Sequence, residues 1–510
     1  MSAVTDSAVA RLESVLGSHA IFVAKAANRE LYSIDGVAPT AFAKPASARQ
    51  AAEIIRFAAK EKLSVIPVGA RTKLFCAPTP QRYDVALDLT ALDDVAHYDP
   101  ADLTVSIGAG MPLAKLNTML REQNQFLPLL VPYYSHGTIG GTIAAGLDSP
   151  LRNAYGTPRD FLLGAEFIDG NGAQIKTGGR VVKNVTGYDF HKLLIGSCGT
   201  LAVITRLNFR TFPLPATTQG FLAAFPDYKA ALSARHKIIH SPLAPLTLDV
   251  LNAQAARLFD GHTNGTAPIP EFDGNHWYLF AEFSGNEDLL ARYKRELAEI
   301  AEQSLAGDMH IIDDSAALAA MAARLRESIA HFREHFGAPV VVKLALPPEQ
   351  HIQAATVLQS LADAAKLPLA IIARASGPIL IATSLQSEHT ASEQAPVSPT
   401  ESPIASLFAR EILTLARSFG GRAQLISAPT QIKARYRAIF TESLASERTL
   451  ARRIKAAFDP NNLFPTLDAP TAPPTPAKSE TSPLSSPLPE PASKKDSPPT
   501  PPVPPPSTQS

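Results

Sequence analysis

Cysteine is scarce in this chain of 510 residues: there are two, Cys76 and Cys198. That is too few for an iron–sulfur cluster or a four-thiolate zinc site held by this chain alone, and it gives no disulfide framework of the secreted type. An excess of either charge is also missing, since 47 basic and 47 acidic residues leave a formal net charge of zero. A general nucleic-acid or polyanion binder needs a basic excess to displace counterions from phosphates, so that class is excluded; a local phosphate site is not. No basic segment followed by an apolar core opens the chain. MSAVTDSAVARLESVLGSHA reads as a short amphipathic helix, and the expected location is cytoplasmic. No long hydrophobic run survives inspection. The most apolar stretch, residues 367–385, holds Arg374 near its middle and is broken by Gly377-Pro378, so it reads as two buried strands joined by a turn. Two nucleotide fingerprints are missing as well. Gly108-Ala109-Gly110 lacks the third glycine and the strand–turn–helix context of a Rossmann motif, and no Gly-Lys-Ser/Thr triplet marks a P-loop.

Proline, by contrast, is plentiful but uneven. Of 44 prolines, 16 fall between Pro465 and Ser510. Residues 466–510 have no aromatic residue and no apolar periodicity, so this segment is expected to be a disordered, solvated tail with polyproline-II character. A ligand for a proline-reading domain, through PPTPPVPPP, is the other reading. Residues 386–403 read as a loop inserted before a helix.

Between these lies an α+β pattern. Apolar spacing predicts helices over residues 46–61, 111–123, 189–195, 288–303, 315–330, 348–365, 405–419 and 445–458. Strands are predicted over residues 63–68, 83–89, 103–107, 201–212, 277–283, 340–345 and 370–373. Residues 163–177 read as a hairpin around Asp169-Gly170-Asn171-Gly172. The expected divisions are an N-terminal helical segment (1–35), a first domain (36–215), a second α+β domain (216–465) and the tail (466–510).

The chemistry concentrates in glycine-rich segments. A strand runs into Gly69-Ala70-Arg71-Thr72-Lys73, where successive backbone N–H groups can converge on an anion and the side chains add donors. Further on, Gly137, Gly140, Gly141 and Gly146 bracket a small-residue stretch that lets the backbone approach a ligand closely. A helix starting near Gly140 is expected to offer free N–H groups to a pyrophosphate. A tight packing turn is the plainer reading of the same glycines.

Taken in order, PVGARTKL, HGTIGGTIAAGL, YGTPRDFLLGAEFIDGNG, VVKNVTGYDFHKLLIGSCGTLAVIT and FDPNNLF resemble the FAD-binding domain of the vanillyl-alcohol oxidase/PCMH type. Within that superfamily the likeness is to the FAD-binding subunits of glycolate oxidase. It covers about residues 36–215 well and the later module loosely. The resemblance implies a PCMH-type FAD domain of two subdomains, about residues 36–92 and 96–214, followed by an α+β cap domain. It implies that Gly69, Ala70, Arg71, Thr72 and Lys73 wrap the pyrophosphate. His136, Gly137, Thr138, Ile139, Gly140 and Gly141 supply backbone contacts. Gly146, Ser149, Tyr155 and Gly156 line the flavin side, and Val203 with Ile204 reach the adenine or ribityl portion.

Departures from the pattern carry physical consequences. Relatives place glycines where this chain has Ala70 and Arg71, so a positive φ there costs about 1 kcal/mol or more; the loop is expected either to bind the pyrophosphate less closely or to compensate through the charge of Arg71. No histidine lies in the first loop where some relatives attach flavin, so non-covalent FAD is expected. After Phe464 the pattern's Asn is replaced by Pro465. The His-x-Gly-Asp-Gly-Asn-x-His cluster of catalytic relatives is absent. His331 and His335 share a helix face but have no evident third ligand, and His136 and His191 read as packing or hydrogen-bonding residues. No metal is expected. The resemblance therefore implies an accessory flavin subunit acting with a catalytic flavin subunit and an iron–sulfur subunit on a small 2-hydroxy acid, with peripheral association at the inner membrane face through that complex. A self-sufficient FAD-dependent 2-hydroxy-acid dehydrogenase and a scaffold that has lost its flavin are the alternatives.

Overall fold

The computed structural model describes residues 21–23, 26–180, 187–257, 276–336, 339–374, 377–383, 411–412, 414–430, 432–433 and 445–466. The expected helix over residues 1–20, part of the 405–419 helix, the 386–403 loop and nearly all of the tail lie outside these. Among the described residues, no helix is long and apolar enough to cross a membrane.

The first subdomain is a four-stranded sheet of β1 (Ile21–Val23), β2 (Ala41–Ala43), β3 (Val65–Val68) and β4 (Val85–Asp88), in the order β1-β2-β4-β3. Its last three strands are parallel. A parallel sheet needs crossovers, and the helix Ala48–Glu61 supplies one between β2 and β3. The side chain of Ser47 caps it by accepting from Gln50 N, and Lys62 ends it in the left-handed region. Its Ala51, Ala52, Ile54, Ile55 and Ala58 are buried, as the sequence spacing requires. β1 places the first sheet's edge strand inside the stretch expected to be a separate helical segment; the only helix described there is Ala26–Glu30.

The second subdomain holds β5 (Val95–Asp99), β6 (Thr104–Gly108), β8 (Leu162–Ile168), β9 (Gln174–Gly178) and β10 (Val203–Arg210), an antiparallel sheet in the order β5-β6-β10-β8-β9. Beside it, β7 (Gln125–Phe126) pairs with β11 (Phe212–Pro213). The expected hairpin is β8–β9, with Asp169 accepting from Asn171 N and Ala173 N in the turn. The expected helix over 189–195 is a single 3₁₀ turn, Phe190–Leu193.

The second domain is an eight-stranded antiparallel sheet of β12 (Thr218–Phe225), β13 (Thr247–Asn252), β14 (Trp277–Ser284), β15 (Asp308–Ile312), β16 (Val340–Ala345), β17 (Leu369–Arg374), β18 (Pro378–Thr383) and β19 (Arg422–Ser427). β17 and β18 are the two strands read from the apolar stretch. One face, through Tyr278, Phe280 and Ile372, shares a core with the first domain, and the other, through Leu279, Ala281 and Ile371, packs under helices. The helix expected over 315–330 is two, Ser315–Arg326 and Ser328–Phe336, with Glu327 capping the first.

The chain then returns to its beginning. After the helix Ala445–Phe458, Leu463 and Phe464 enter the first subdomain's core beside Val65, Leu87 and Val203. Leu463 O accepts from Val65 N at 2.9 Å, and Phe458 O accepts from Gly170 N at 2.8 Å. Buried Asp459 accepts from Leu463 N and Phe464 N and pairs with Lys455. Residues 458–464 are thus packed with the first domain rather than the second.

Candidate functional site

A cleft of about 780 Å³ of empty space, its open mouth included, separates the two subdomains of the first domain. One wall is the end of β3 and the loop after it, residues 66–77. The other is the helix Ile139–Ala145, Ala109 after β6, and residues 198–204 leading into β10. The sequence brings small residues here because bulk would close the gap. Ala70, Ala109, Gly140, Gly141, Ala144, Ala145, Gly199 and Ala202 all line it.

The loop after β3 leaves its backbone donors unused. Among the described residues, the N–H groups of Ala70, Arg71, Thr72 and Lys73 find no protein acceptor. Arg71 stands at φ +64°, a left-handed conformation of the kind found in anion-binding nests. A glycine would take that φ freely; arginine takes it under strain. The strain is held by contacts behind the loop: Arg71 Nη1 pairs with Asp88 Oδ2 at 3.4 Å and lies 4.9 Å over the ring of Tyr32, whose hydroxyl donates to the same carboxylate at 2.7 Å. The charge of Arg71, expected to serve a phosphate, is therefore already engaged by Asp88.

The charge left for the cleft is that of Lys73. Its side chain is buried, with 8% exposure, and its single hydrogen bond among the described residues is a long one, 3.4 Å to Thr72 Oγ1. Burial lowers its pKa to about 8, against the pull of Cys76 and Glu327. A desolvated ammonium this poorly partnered fits a ligand that brings its own negative charge. A diphosphate has the negative charge and the acceptor oxygens to pair with such N–H groups and such an ammonium.

The glycine helix plays a different part from the one its sequence suggests. Its first N–H groups are spent within the protein: Ile139 N donates to Met111 O, Gly140 N to Ala109 O, and Gly141 N to Thr138 Oγ1. The chain leaving β6 runs past this helix start and takes those donors, so they are not free for a pyrophosphate. What the glycines provide is close packing. A Cβ on Gly140 would press on Ala109, and one on Gly69 would overlap Thr138 Oγ1.

Nine of the expected residues therefore line the cleft: Gly69, Ala70, Arg71, Thr72, Lys73, Thr138, Gly140, Gly141 and Ile204. The others do not. Gly137 leaves room for Lys73 Nζ, His136 is exposed, and Ile139 is core. Gly146 ends the helix at φ +62° against Gly196. The Ser149 hydroxyl is used by the backbone of Pro128, Leu130 and Leu151. Tyr155 wedges edge-on between Phe126 and Phe212, and Gly156, at φ +80°, sits against Asp160. Val203 points into the first subdomain's core because adjacent strand residues face opposite ways, so only Ile204 reaches the cleft. His191 is buried beside Thr177 Oγ1, with its pKa lowered by burial.

Sequence reasoning missed both cysteines as cleft residues. Cys76 and Cys198 line it from opposite walls, and Cys198 Sγ donates to Cys76 O at 3.5 Å. Burial pushes both thiols up, Cys198 to about 11, so both are protonated at neutral pH. The Gly196–Gly199 turn around Cys198 was the signal available. Among the described residues, no cluster of three or more His, Cys, Asp or Glu side chains could hold a metal.

Comparison with known proteins agrees with this geometry. A model of the FAD binding domain matches residues 39–178, and one of the C-terminal domain of FAD linked oxidases matches residues 214–399. D-2-hydroxyglutarate dehydrogenase of Xanthomonas citri pv. viticola is 28% identical over 292 residues, 57% of this chain and 61% of that protein. Glycolate oxidase subunit GlcE of Escherichia coli K12 is 34% identical over 165 residues, 32% of this chain and 46% of that one. Glycolate oxidase subunit GlcD of Bacillus subtilis is 27% identical over 231 residues, 44% and 49% of the two chains. The chain thus spans about half the length of the curated relatives it matches. Among solved structures, p-cresol methylhydroxylase with substrate bound superposes with a TM-score of 0.70 at 16% identity, covering 91% of this chain and 96% of that one. 4-Ethylphenol oxidase from Gulosibacter chungangensis, in its isoeugenol complex, gives 0.70 at 15% identity, with 90% and 96% covered. The chain belongs to the FAD-linked oxidoreductases of the vanillyl-alcohol oxidase/PCMH-type fold, and its cofactor is FAD.

Proposed function

We propose that the chain is the FAD-binding accessory subunit of a multi-subunit glycolate (2-hydroxy acid) oxidase or dehydrogenase. It docks on a catalytic flavin subunit and on an iron–sulfur subunit, and associates with the inner membrane face through them. The observation that carries this reading is a loop of unused N–H groups beside a buried, poorly partnered lysine, in a sequence without the histidine–aspartate cluster of catalytic relatives. The similarity to glycolate oxidase subunits supports it. So does the count of two cysteines, both protonated and too few for an iron–sulfur cluster, which leaves onward electron transfer to another chain.

Bound FAD would supply the hydride-accepting chemistry. The chain's own residues would hold and shield it. The loop N–H groups of Ala70–Lys73 and the Lys73 ammonium would hold the diphosphate, and the small residues of the opposite wall would let the backbone come close and exclude water. Gly69–Lys73, Thr138, Gly140, Gly141 and Ile204 are the residues we assign to this task.

One observation favours a second reading, a self-sufficient 2-hydroxy-acid dehydrogenase. Glu282 lies on the face of the eight-stranded sheet that packs toward the first domain, close enough to raise the pKa of Tyr155 there. Burial alone raises the Glu282 carboxyl to about 7, a value suited to a general base. Visible spectra of the purified chain, reconstituted with FAD and then given glycolate or D-lactate with a dye acceptor, separate the two. Bleaching by the chain alone supports the second reading, and bleaching only with partner subunits supports the first. A chain that takes up no flavin overturns both.

A further inference from the structure

The second domain reaches the loops that wall the cofactor cleft through the pair of helices that meet at Glu327. Glu327 sits between two of its helices, and its carboxylate crosses to the first domain. Oε2 accepts from Tyr133 N at 2.6 Å and Oε1 from Tyr134 N at 3.2 Å, two successive backbone donors held by one carboxylate. Tyr133 is at φ +58°, a strained conformation for a residue with a side chain. Arg326 reinforces the contact, its Nε 3.1 Å from Glu327 Oε1 and its guanidinium 4.7 Å over the Tyr134 ring.

The segment so clamped leads directly into the cleft. Tyr133 O accepts from Gly137 N at 2.8 Å, and Thr138 caps the glycine helix. Gly137 leaves the space that Lys73 Nζ fills. On the other wall, Arg333 lies 4.3 Å over the ring of Phe75, which packs on Tyr133 with ring centroids 5.9 Å apart. One pair of helices in the second domain therefore grips both loops that meet at Lys73.

We infer that Glu327 is a positioning residue for FAD: by holding the strained turn at Tyr133 it sets the wall against which Lys73 is placed, so that docking of the second domain and retention of the cofactor form one equilibrium. This rests on the FAD reading of the cleft. No contact of Glu327 with FAD is implied. A carboxylate on two backbone donors is charge-assisted and hard to replace, since glutamine offers one acceptor oxygen and turns an NH₂ toward the other N–H.

The test uses the full chain stripped of flavin, with FAD titrated by flavin fluorescence between pH 6.5 and 9.5 and amide hydrogen exchange followed at Tyr133 and Tyr134. Glu327→Gln is expected to weaken FAD binding roughly tenfold or more at pH 7. The pH at which affinity falls, set near 8 by Lys73, should move down, because Lys73 loses the carboxylate that supports its charge. Cys76, protonated here, and Thr72 are the other groups beside that ammonium. In the parent chain FAD should slow exchange at the two tyrosine amides, and in the variant it should not. Glu327→Asp, too short to span both donors, should fall between. Lys433→Met, which breaks the 2.8 Å ion pair to Asp35 without touching the clamped turn, should bind FAD as the parent does. The inference is overturned if Glu327→Gln binds FAD like the parent with the same pH midpoint, or if Lys433→Met loses as much. A parent chain that binds no FAD would instead overturn the cofactor reading beneath it.

Discussion

Gly141→Ala separates the needs of the fold from the needs of the ligand. Gly141 is the third residue of the helix Ile139–Ala145 and lines the cleft. A Cβ built there meets one atom within 4 Å, Thr138 Oγ1 at 3.1 Å, which can give by a few tenths of an ångström. Against that small crowding stands the helix preference of alanine over glycine, about 0.8–1 kcal/mol in favour of the variant. The flavin-free protein should therefore unfold at the same temperature or slightly higher. The methyl group, however, stands where the backbone is bare. An added methyl in a packed contact costs about 1–3 kcal/mol, or roughly 5- to 150-fold in Kd. Gly69→Ala is the control, because its Cβ would overlap Thr138 Oγ1 and crowd the carbons behind it. That variant should lose flavin-free stability as well. The assays are thermal unfolding of stripped protein and a fluorescence titration with FAD. Unchanged FAD affinity in Gly141→Ala would refute the close-approach argument, and a large drop in its flavin-free stability would show that the glycine serves packing instead.

Lys73→Met should weaken FAD binding while raising flavin-free stability, checked by the same titration and melts. Because burial lowers the Lys73 pKa to about 8 from its ordinary 10.5, the folded flavin-free chain holds fewer protons than the unfolded chain between those values. Its contribution to stability therefore rises with pH across that window, whereas FAD affinity falls above about 8 as the ammonium is lost; urea melts and titrations at pH 7 and 9.5 read both signs. Glu282 has the opposite sense. Its raised pKa penalises folding as pH climbs from 4.5 toward 7, so Glu282→Gln should gain about 1–3 kcal/mol at pH 8 and little at pH 4, by chemical denaturation. Asp459→Ala strips the carboxylate from buried Lys455 and from two backbone donors, and should cost about 3–5 kcal/mol in urea unfolding.

The sequence made the chemistry's address readable but not its wiring. The Gly69–Lys73 turn, the helix at Ala48–Glu61 and the hairpin at Asp169-Gly170-Asn171-Gly172 were legible because each depends on residues close in the chain: a cap, a period, a turn dipeptide. β12 and β13 were not read as strands. Both are buried almost throughout, so the alternation that marks a half-exposed strand is absent. The fate of the N–H groups at Ile139 and Gly140 depends on Met111 and Ala109, about thirty residues earlier. The engagement of Arg71 depends on Tyr32 and Asp88, and the burial of Lys73 on Gly137. Glu327 looked like any surface acid on a helix, and only the tertiary fold sets it beside Tyr133.

The return of residues 458–464 into the first subdomain has a consequence for how the protein is made. Val65 meets Leu463, and Val203 and Ile168 share their core with Phe464, so the parts nearest the cleft wait for contacts separated by hundreds of positions. Such long-range closure is slow and leaves apolar surface uncovered meanwhile. During synthesis the first domain emerges from the ribosome lacking a piece of its own interior. A nascent chain released early, or a gene cut after the eight-stranded sheet, would carry every flavin-facing residue and still be unable to finish the domain that presents them. Cofactor uptake in the cell should therefore follow completion of the polypeptide rather than accompany it.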